Sequence, residues 1–288
     1  MLTILTICEI LNSREEQSLR GRWIGVAYWI VLVVTGALFS TALELTWNYF
    51  HVYPMYTLPV LAASSWSRIF TVPLVILVGA LFQYLIFYLY HRAQHCWFWR
   101  WHAVHHSIQE LNAVNSYHHV SEGFMSLILV QIPMSLVVVD TGPQIPFVNL
   151  VLWLHTVWIH SPTRFNFGPL RMFFADNRFH RIHHSLEPQH FDKNFGAFTT
   201  LWDQLFGTCR FPEANDWPAV GLAEVLQPNT LREWWDLPAR YQRATKPASS
   251  NIGSAADLPG PSTASLAGYT GRGGLSSAAS WEKVDASA

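Results

Sequence analysis

Residues 69–95, IFTVPLVILVGALFQYLIFYLYHRAQH, decide how this chain is read. The stretch carries no charged side chain from Ile69 to Tyr90 and then turns directly into His91 and His95. About 20 consecutive apolar residues suffice for a helix to cross the hydrocarbon core of a bilayer. Pro73 falls in the first turn, where a helix tolerates proline. His91 and His95 are four residues apart and so share one helix face. The pattern predicts a membrane helix that ends in a pair of imidazoles.

Two further words repeat that ending. They are His102-Ala103-Val104-His105-His106 and His180-Arg181-Ile182-His183-His184, and the three words hold eight of the fourteen histidines. Spacings of three and four aim the imidazoles of each word at one point. Imidazole suits iron, zinc, copper and nickel. Eight imidazoles are too many for one ion, so the pattern fits two ions held between helix faces. Histidine tracts also occur as loose metal-buffering loops, but here Trp, Phe, Leu and Ile interleave with the histidines, which points to a packed site.

The composition agrees with a membrane protein. The chain is 50% hydrophobic, 15% aromatic and 13% charged, whereas charged residues make up about a quarter of a soluble domain. A net charge of −1 gives no electrostatic case for nucleic acid. Cys8, Cys96 and Cys209 are scattered, so neither a disulfide framework nor a thiolate site is expected.

Three more apolar runs set the expected topology. Ile24–Leu43 is uncharged, is preceded by Arg20 and Arg22, and reads as an anchor rather than a cleaved signal peptide. Gly123–Val139 contains Pro133, and Ile145–Ile159 follows an Asp140-Thr141-Gly142-Pro143 turn and ends at His160. The expectation is an all-α integral membrane protein with about four transmembrane helices, the last two either full spans or a re-entrant hairpin. Either way all histidine words fall on one side. Of the eighteen Lys and Arg, only Arg68 faces the opposite side, so the positive-inside rule makes the histidine side cytoplasmic. Trp97–Trp101 and Trp234-Trp235 read either as an aromatic belt at the membrane surface or as core packing. The expected organisation is an anchor and first span over 1–68, a catalytic domain over 69–212, a membrane-surface segment over 213–245, and a disordered Ser/Ala/Gly/Pro tail over 246–288.

The three words together resemble the fatty acid hydroxylase / sterol desaturase superfamily. Phe191-Asp192-Lys193-Asn194-Phe195-Gly196 and Leu201-Trp202-Asp203-Gln204-Leu205-Phe206-Gly207-Thr208 are also similar to the family's pattern after its last histidine box. Trp158-Ile159-His160 resembles the alkylglycerol monooxygenase branch. The resemblance covers roughly residues 75–212. It implies an endoplasmic reticulum membrane enzyme with a non-haem di-iron centre, which hydroxylates or desaturates a lipophilic substrate with dioxygen and two electrons. It implies His91, His95, His102, His105, His106, His180, His183 and His184 as iron ligands. His160 fits a further family ligand ahead of the last box. His155 is a weaker candidate, because five residues is a poor spacing for one helix face. His119 and Glu122, in Ser116-Tyr117-His118-His119-Val120-Ser121-Glu122, match a family His-x-x-Glu; they read as ligands, as neighbours of ligands, or as a helix cap.

One departure stands out. Many family members carry an Asp about two turns before the first box, and residues 83–90 here, QYLIFYLY, have no carboxylate. Ligating histidines usually hand their outer N–H to a carboxylate or carbonyl, and Glu110, Asp176, Asp192 and Asp203 are the candidates. No Rossmann-type glycine fingerprint and no haem domain is visible. Electrons are therefore expected from a separate carrier, cytochrome b5 or its reductase, or from a pterin if the alkylglycerol-type likeness is functional. A metal transporter, whose ligands lie near the bilayer midplane, and a bis-His haem cytochrome are the rival classes.

Overall fold

The computed structural model describes residues 2–18, 22–53, 56–59, 68–140 and 145–246. The expected tail beyond Lys246 and most of the Asp140–Pro143 turn lie outside the described residues. In chain order the helices are α1 (Leu2–Leu11), α2 (Trp23–Tyr49), α3 (Arg68–Trp97), α4 (Trp99–His106), α5 (Val120–Ser126), α6 (Ile132–Ser135), α7 (Ile145–Trp158), α8 (Asn177–His183), α9 (Leu201–Leu205) and α10 (Leu231–Ala244). A π-helical turn, Leu127–Gln131, joins α5 to α6, and 3-10 turns occupy Gly168–Met172 and Pro188–His190. Among the described residues the one sheet is a parallel pair, β1 (Tyr56–Pro59) with β2 (Val137–Asp140). The β-branched run of β2 favours an extended backbone.

The long helices behave as their composition demands. At 1.5 Å per residue, the 27 residues of α2 and the 30 of α3 reach about 40 and 45 Å, beyond the roughly 30 Å hydrocarbon core. The apolar window of α2 has a mean hydropathy of 2.0 with only 6% of it buried. Ile30, Val33, Leu38 and Leu45 all face outward. A core helix of a soluble protein would bury those side chains; α2 presents them as a lipid-facing helix does. The sequence reading ended this run at Leu43; the helix continues six residues to Tyr49.

The other face of α2 starts the core. Ile24 and Tyr28 pack with Val104 of α4, with Leu111, and with Trp234 and Leu237 of α10. Gly25 is required there, since a Cβ would lie 2.2 Å from the Val114 carbonyl oxygen. Helix α10 is capped by Thr230, whose side chain accepts from Glu233 N. It buries Trp234, Leu237 and Tyr241 along one stripe. Trp99 Nε1 donates to Tyr241 Oη at 2.8 Å, and Trp234 Nε1 to the His118 carbonyl at 3.0 Å. The two tryptophans therefore divide: Trp234 is core, and Trp235 is 61% exposed.

Helix α1 is tied to the same cap. The Glu9 carboxylate takes Arg22 Nη1 at 2.7 Å and Ala113 N at 2.8 Å. Glu15 takes both terminal nitrogens of Arg181, at 3.0 and 2.8 Å. The segment before the first long helix thus closes over the helices that carry the histidines.

Candidate metal centre

The histidine words sit at helix ends, as their spacing requires. His91 and His95 lie in the last turns of α3. His102, His105 and His106 lie on α4, and His180 and His183 on α8 with His184 at its C-cap. Asp176 starts α8 by accepting Arg178 N and Phe179 N and is itself held by Arg171. His160 follows α7 in a turn.

Two groups result. His91, His95, His102, His106 and His183 each offer a nitrogen, with all five within 4.8 Å of one another; His105, His160, His180 and His184 do the same. Successive residues on a helix point about 100° apart. His105 and His106 consequently serve different groups, as do His183 and His184. The side chains of both groups are buried.

Outer hydrogen bonds fix the ring orientations. His91 Nδ1 donates to the Phe195 carbonyl at 2.8 Å, and His183 Nδ1 to the Lys193 carbonyl at 2.8 Å. His105 Nδ1 donates to the Tyr117 carbonyl at 3.2 Å, and His160 Nδ1 to the Thr156 carbonyl at 2.9 Å. Two carboxylates complete the shell: Asp192 takes His95 Nδ1 at 3.1 Å, and Glu122 takes His102 Nδ1 at 3.0 Å. The acceptor that His91 lacks upstream is thus a backbone carbonyl from the segment after the last box.

These bonds test whether a metal fits. A carbonyl can only accept, so Nδ1 of His105 and of His160 each carries the proton. In a neutral imidazole the other nitrogen is then a lone pair. Yet His105 Nε2 and His160 Nε2 face each other at 3.3 Å. Two lone pairs repel; a cation between them makes the contact favourable. The other facing Nε2 pairs are His91–His102 at 3.0 Å, His95–His106 at 3.2 Å, His160–His180 at 3.0 Å and His180–His184 at 3.2 Å. With metal–imidazole bonds of about 2.0–2.1 Å, the zinc value, neighbouring ligands of one ion lie about 2.9–3.4 Å apart. His183 Nε2 is buried with no hydrogen-bond partner. The residues present fit a metal in each group.

Electrostatics favour the ligating form. Burial, reinforced by neighbouring imidazoles, pushes His105, His106, His180, His183 and His184 well below the ordinary imidazole range. They are neutral near pH 7, the state that binds metal.

The other candidates fall elsewhere. His155 is in neither group: its Nε2 donates to the Ala175 carbonyl at 2.8 Å and its ring stacks on Phe167. Five residues place it about 140° round the helix from His160. His119 is the N-cap of α5, its Nδ1 accepting from Ser121 N, and its Nε2 donates to the Trp235 carbonyl. The cap turns its neighbour His118 inward instead. His118 stacks on His105 with centroids 3.9 Å apart and groups with His102 and Glu122. Burial lowers its pKa to about 4, with the Glu122 charge opposing. Gln94 is a partner the sequence reading did not single out; its Nε2 donates to the same Glu122 oxygen that His102 uses. Glu110 accepts Ser18 N, away from both groups.

The comparisons with known proteins agree with this site. Residues 76–208 match the fatty acid hydroxylase family. That segment is similar to a fatty acid hydroxylase domain. The match spans all three histidine words and the segment that orients them. Among curated relatives, the chain is 30% identical over 180 residues to an ornithine lipid hydroxylase of Rhizobium tropici, covering 57% of this chain and 52% of that one. It is 28% identical over 196 residues to the human alkylglycerol monooxygenase, covering 66% and 40%. It is 38% identical over 120 residues to a sphingolipid C4-hydroxylase of Schizosaccharomyces pombe, covering 40% and 39%. The chain therefore spans about half or less of the length of these relatives. No solved structure matches.

Proposed function

We propose that this chain is an integral membrane hydroxylase of a lipid. It converts one C–H bond to C–OH with dioxygen, two electrons and two protons, and releases water. The observation that carries this reading is the facing of His105 Nε2 and His160 Nε2 with both outer protons committed to carbonyls, in a chain whose relatives are named as lipid hydroxylases and monooxygenases.

Iron is the metal this reading assigns to both groups, and when bound there it would supply the activation of dioxygen. His91, His95, His102, His106 and His183 would hold one ion, and His105, His160, His180 and His184 the other. The protein's own part is orientation and dryness. The outer carbonyls and carboxylates orient the rings of His91, His95, His102, His105, His160 and His183, and burial of the ligands keeps water from the reacting carbon. Asp192, with its side chain 73% exposed, touches the buried ring of His95. One group therefore lies one residue beneath the surface, where a separate electron carrier such as cytochrome b5 would approach.

The relatives' names all specify lipids, which supports a lipid with a polar head whose chain lies in the bilayer. Helices α2 and α3 are long enough to span. At 14 residues, α7 reaches only about 21 Å, which supports a re-entrant hairpin for the last two runs. Residues 69–212 form the catalytic part in this reading. The histidine end faces the cytoplasm of the endoplasmic reticulum membrane. Hydroxylation is preferred to desaturation because the relatives are named for it.

The test is expression in a host membrane under isotopically heavy dioxygen, followed by mass spectrometry of the lipids. One lipid class should gain a labelled oxygen with the intact chain and not with His105→Ala. Iron-loaded protein that labels no lipid overturns the reading.

A further inference from the structure

Three of the five histidines in the first group share one support. His95 is held by the Asp192 carboxylate, His183 by the Lys193 carbonyl and His91 by the Phe195 carbonyl. These acceptors come from three residues of one four-residue stretch, Asp192–Phe195. A strand would send successive carbonyls to opposite edges, and a helix would bond them within itself. Here Asp192 has φ 55° and Asn194 has φ 60°, a left-handed conformation that non-glycine residues adopt at a cost. Those two reversals let acceptors from one short turn reach three rings.

The same turn also packs against the same three rings. The Phe195 ring meets His91, His95 and His183 edge-on at centroid distances of 5.6, 4.9 and 5.6 Å. Polar and apolar contacts therefore select one set of ligands independently. The second group is supported from elsewhere, by Tyr117 and Thr156 carbonyls. The Nδ1 atoms of His180 and His184 are buried without partners.

The turn is itself pinned from behind. Asn194 Nδ2 donates to the Phe179 and Arg210 carbonyls at 2.9 and 2.8 Å, and its Oδ1 accepts Arg210 N at 2.7 Å. Asp203 accepts Phe195 N at 2.8 Å and Gly196 N at 2.7 Å. A side chain at Gly196 would meet the Thr199 carbonyl oxygen at 2.3 Å.

We propose that the Asp192–Phe195 turn, clamped by Asn194 and Asp203, is a positioning element for the five-histidine group alone, so that disturbing it weakens one of two metal sites. Asn194 and Asp203 are positioning residues; they touch no metal-facing nitrogen. The inference rests on the two-ion reading above.

The experiment compares the full-length chain with Asn194→Gly and Asp192→Gly, each purified in detergent and loaded with iron. Glycine accepts the positive φ at both positions, so each variant removes only side-chain bonds. Loss of an orienting partner typically costs about 10–100-fold in metal affinity. Iron per chain, by elemental analysis against a graded chelator, should fall from two to one in Asn194→Gly, with the Mössbauer signal of one iron retained. His160→Ala should remove the other iron, and the double variant both. Asp192→Gly alters an exposed carboxylate and carries the test should Asn194→Gly aggregate; its expected effect is weaker binding at one site. Two irons of unchanged affinity in both variants, or simultaneous loss of both irons from soluble monodisperse protein, overturns the proposal. An iron-free wild type fails the two-ion reading instead.

Discussion

Glu122→Ala is the perturbation whose size the structure sets most clearly. Glu122 is 4% exposed, and one of its oxygens takes both Gln94 Nε2 and His102 Nδ1. Both donors are buried. Removing the carboxylate deprives His102 of a charge-assisted bond worth about 1.5–3 kcal/mol and Gln94 of its acceptor at about 1–3 kcal/mol. The gross loss is about 2.5–6 kcal/mol, reduced by relief from burying a carboxylate. Glu122→Gln keeps an acceptor oxygen and loses only the charge, at about 1–1.5 kcal/mol. Because about 1.4 kcal/mol is tenfold in affinity, the Gln variant should bind iron at the first group about tenfold more weakly. The Ala variant should bind about a hundredfold more weakly. Chelator competition on detergent-purified protein measures both, with iron at the second group as the internal reference. Iron affinity within about twofold of wild type in Glu122→Ala would refute the claim that Glu122 orients His102 for metal.

Further outcomes follow from the same contacts. His160→Ala should abolish product formation while the protein remains in the membrane, because it removes one of four nitrogens in the second group; turnover near wild type counts against that group's role. Glu9→Ala should destabilise the fold by about 3–5 kcal/mol, since it strands Arg22 in a bridge whose side chains are 6% and 0% exposed. Replacing both residues with apolar ones should cost less, and detergent denaturation curves make the comparison. Gly25→Ala should cost about 1–3 kcal/mol, because its Cβ would stand 2.2 Å from a backbone oxygen; an unchanged denaturation midpoint contradicts that packing.

The residues differ in how much of this the sequence made legible. Helical spacing placed His91 with His95, and His180 with His184, because a helix repeats its face every three or four residues. It did not show that His105 and His106 part company, since that depends on how α4 sits between two groups. His155 was drawn toward the site by type and proximity. Its ring lies on another face of α7, bonded to Ala175. His118 and His119 are adjacent and alike in letters; the N-cap of α5 claims one, and the other stacks on His105. The missing carboxylate before the first box was visible, but its substitute was not. A backbone carbonyl such as that of Phe195 has no letter, and only the left-handed Asp192 and Asn194 aim that turn. The apolar character of α2 was legible from composition, whereas the outward placement of Ile30, Val33, Leu38 and Leu45 is seen only in the fold.

Anomalous scattering at the iron edge from crystals of the full-length, iron-loaded protein tests the central claim most directly. Two peaks are predicted, one among His91, His95, His102, His106 and His183 and one among His105, His160, His180 and His184. A single peak, a peak outside both groups, or none would contradict it.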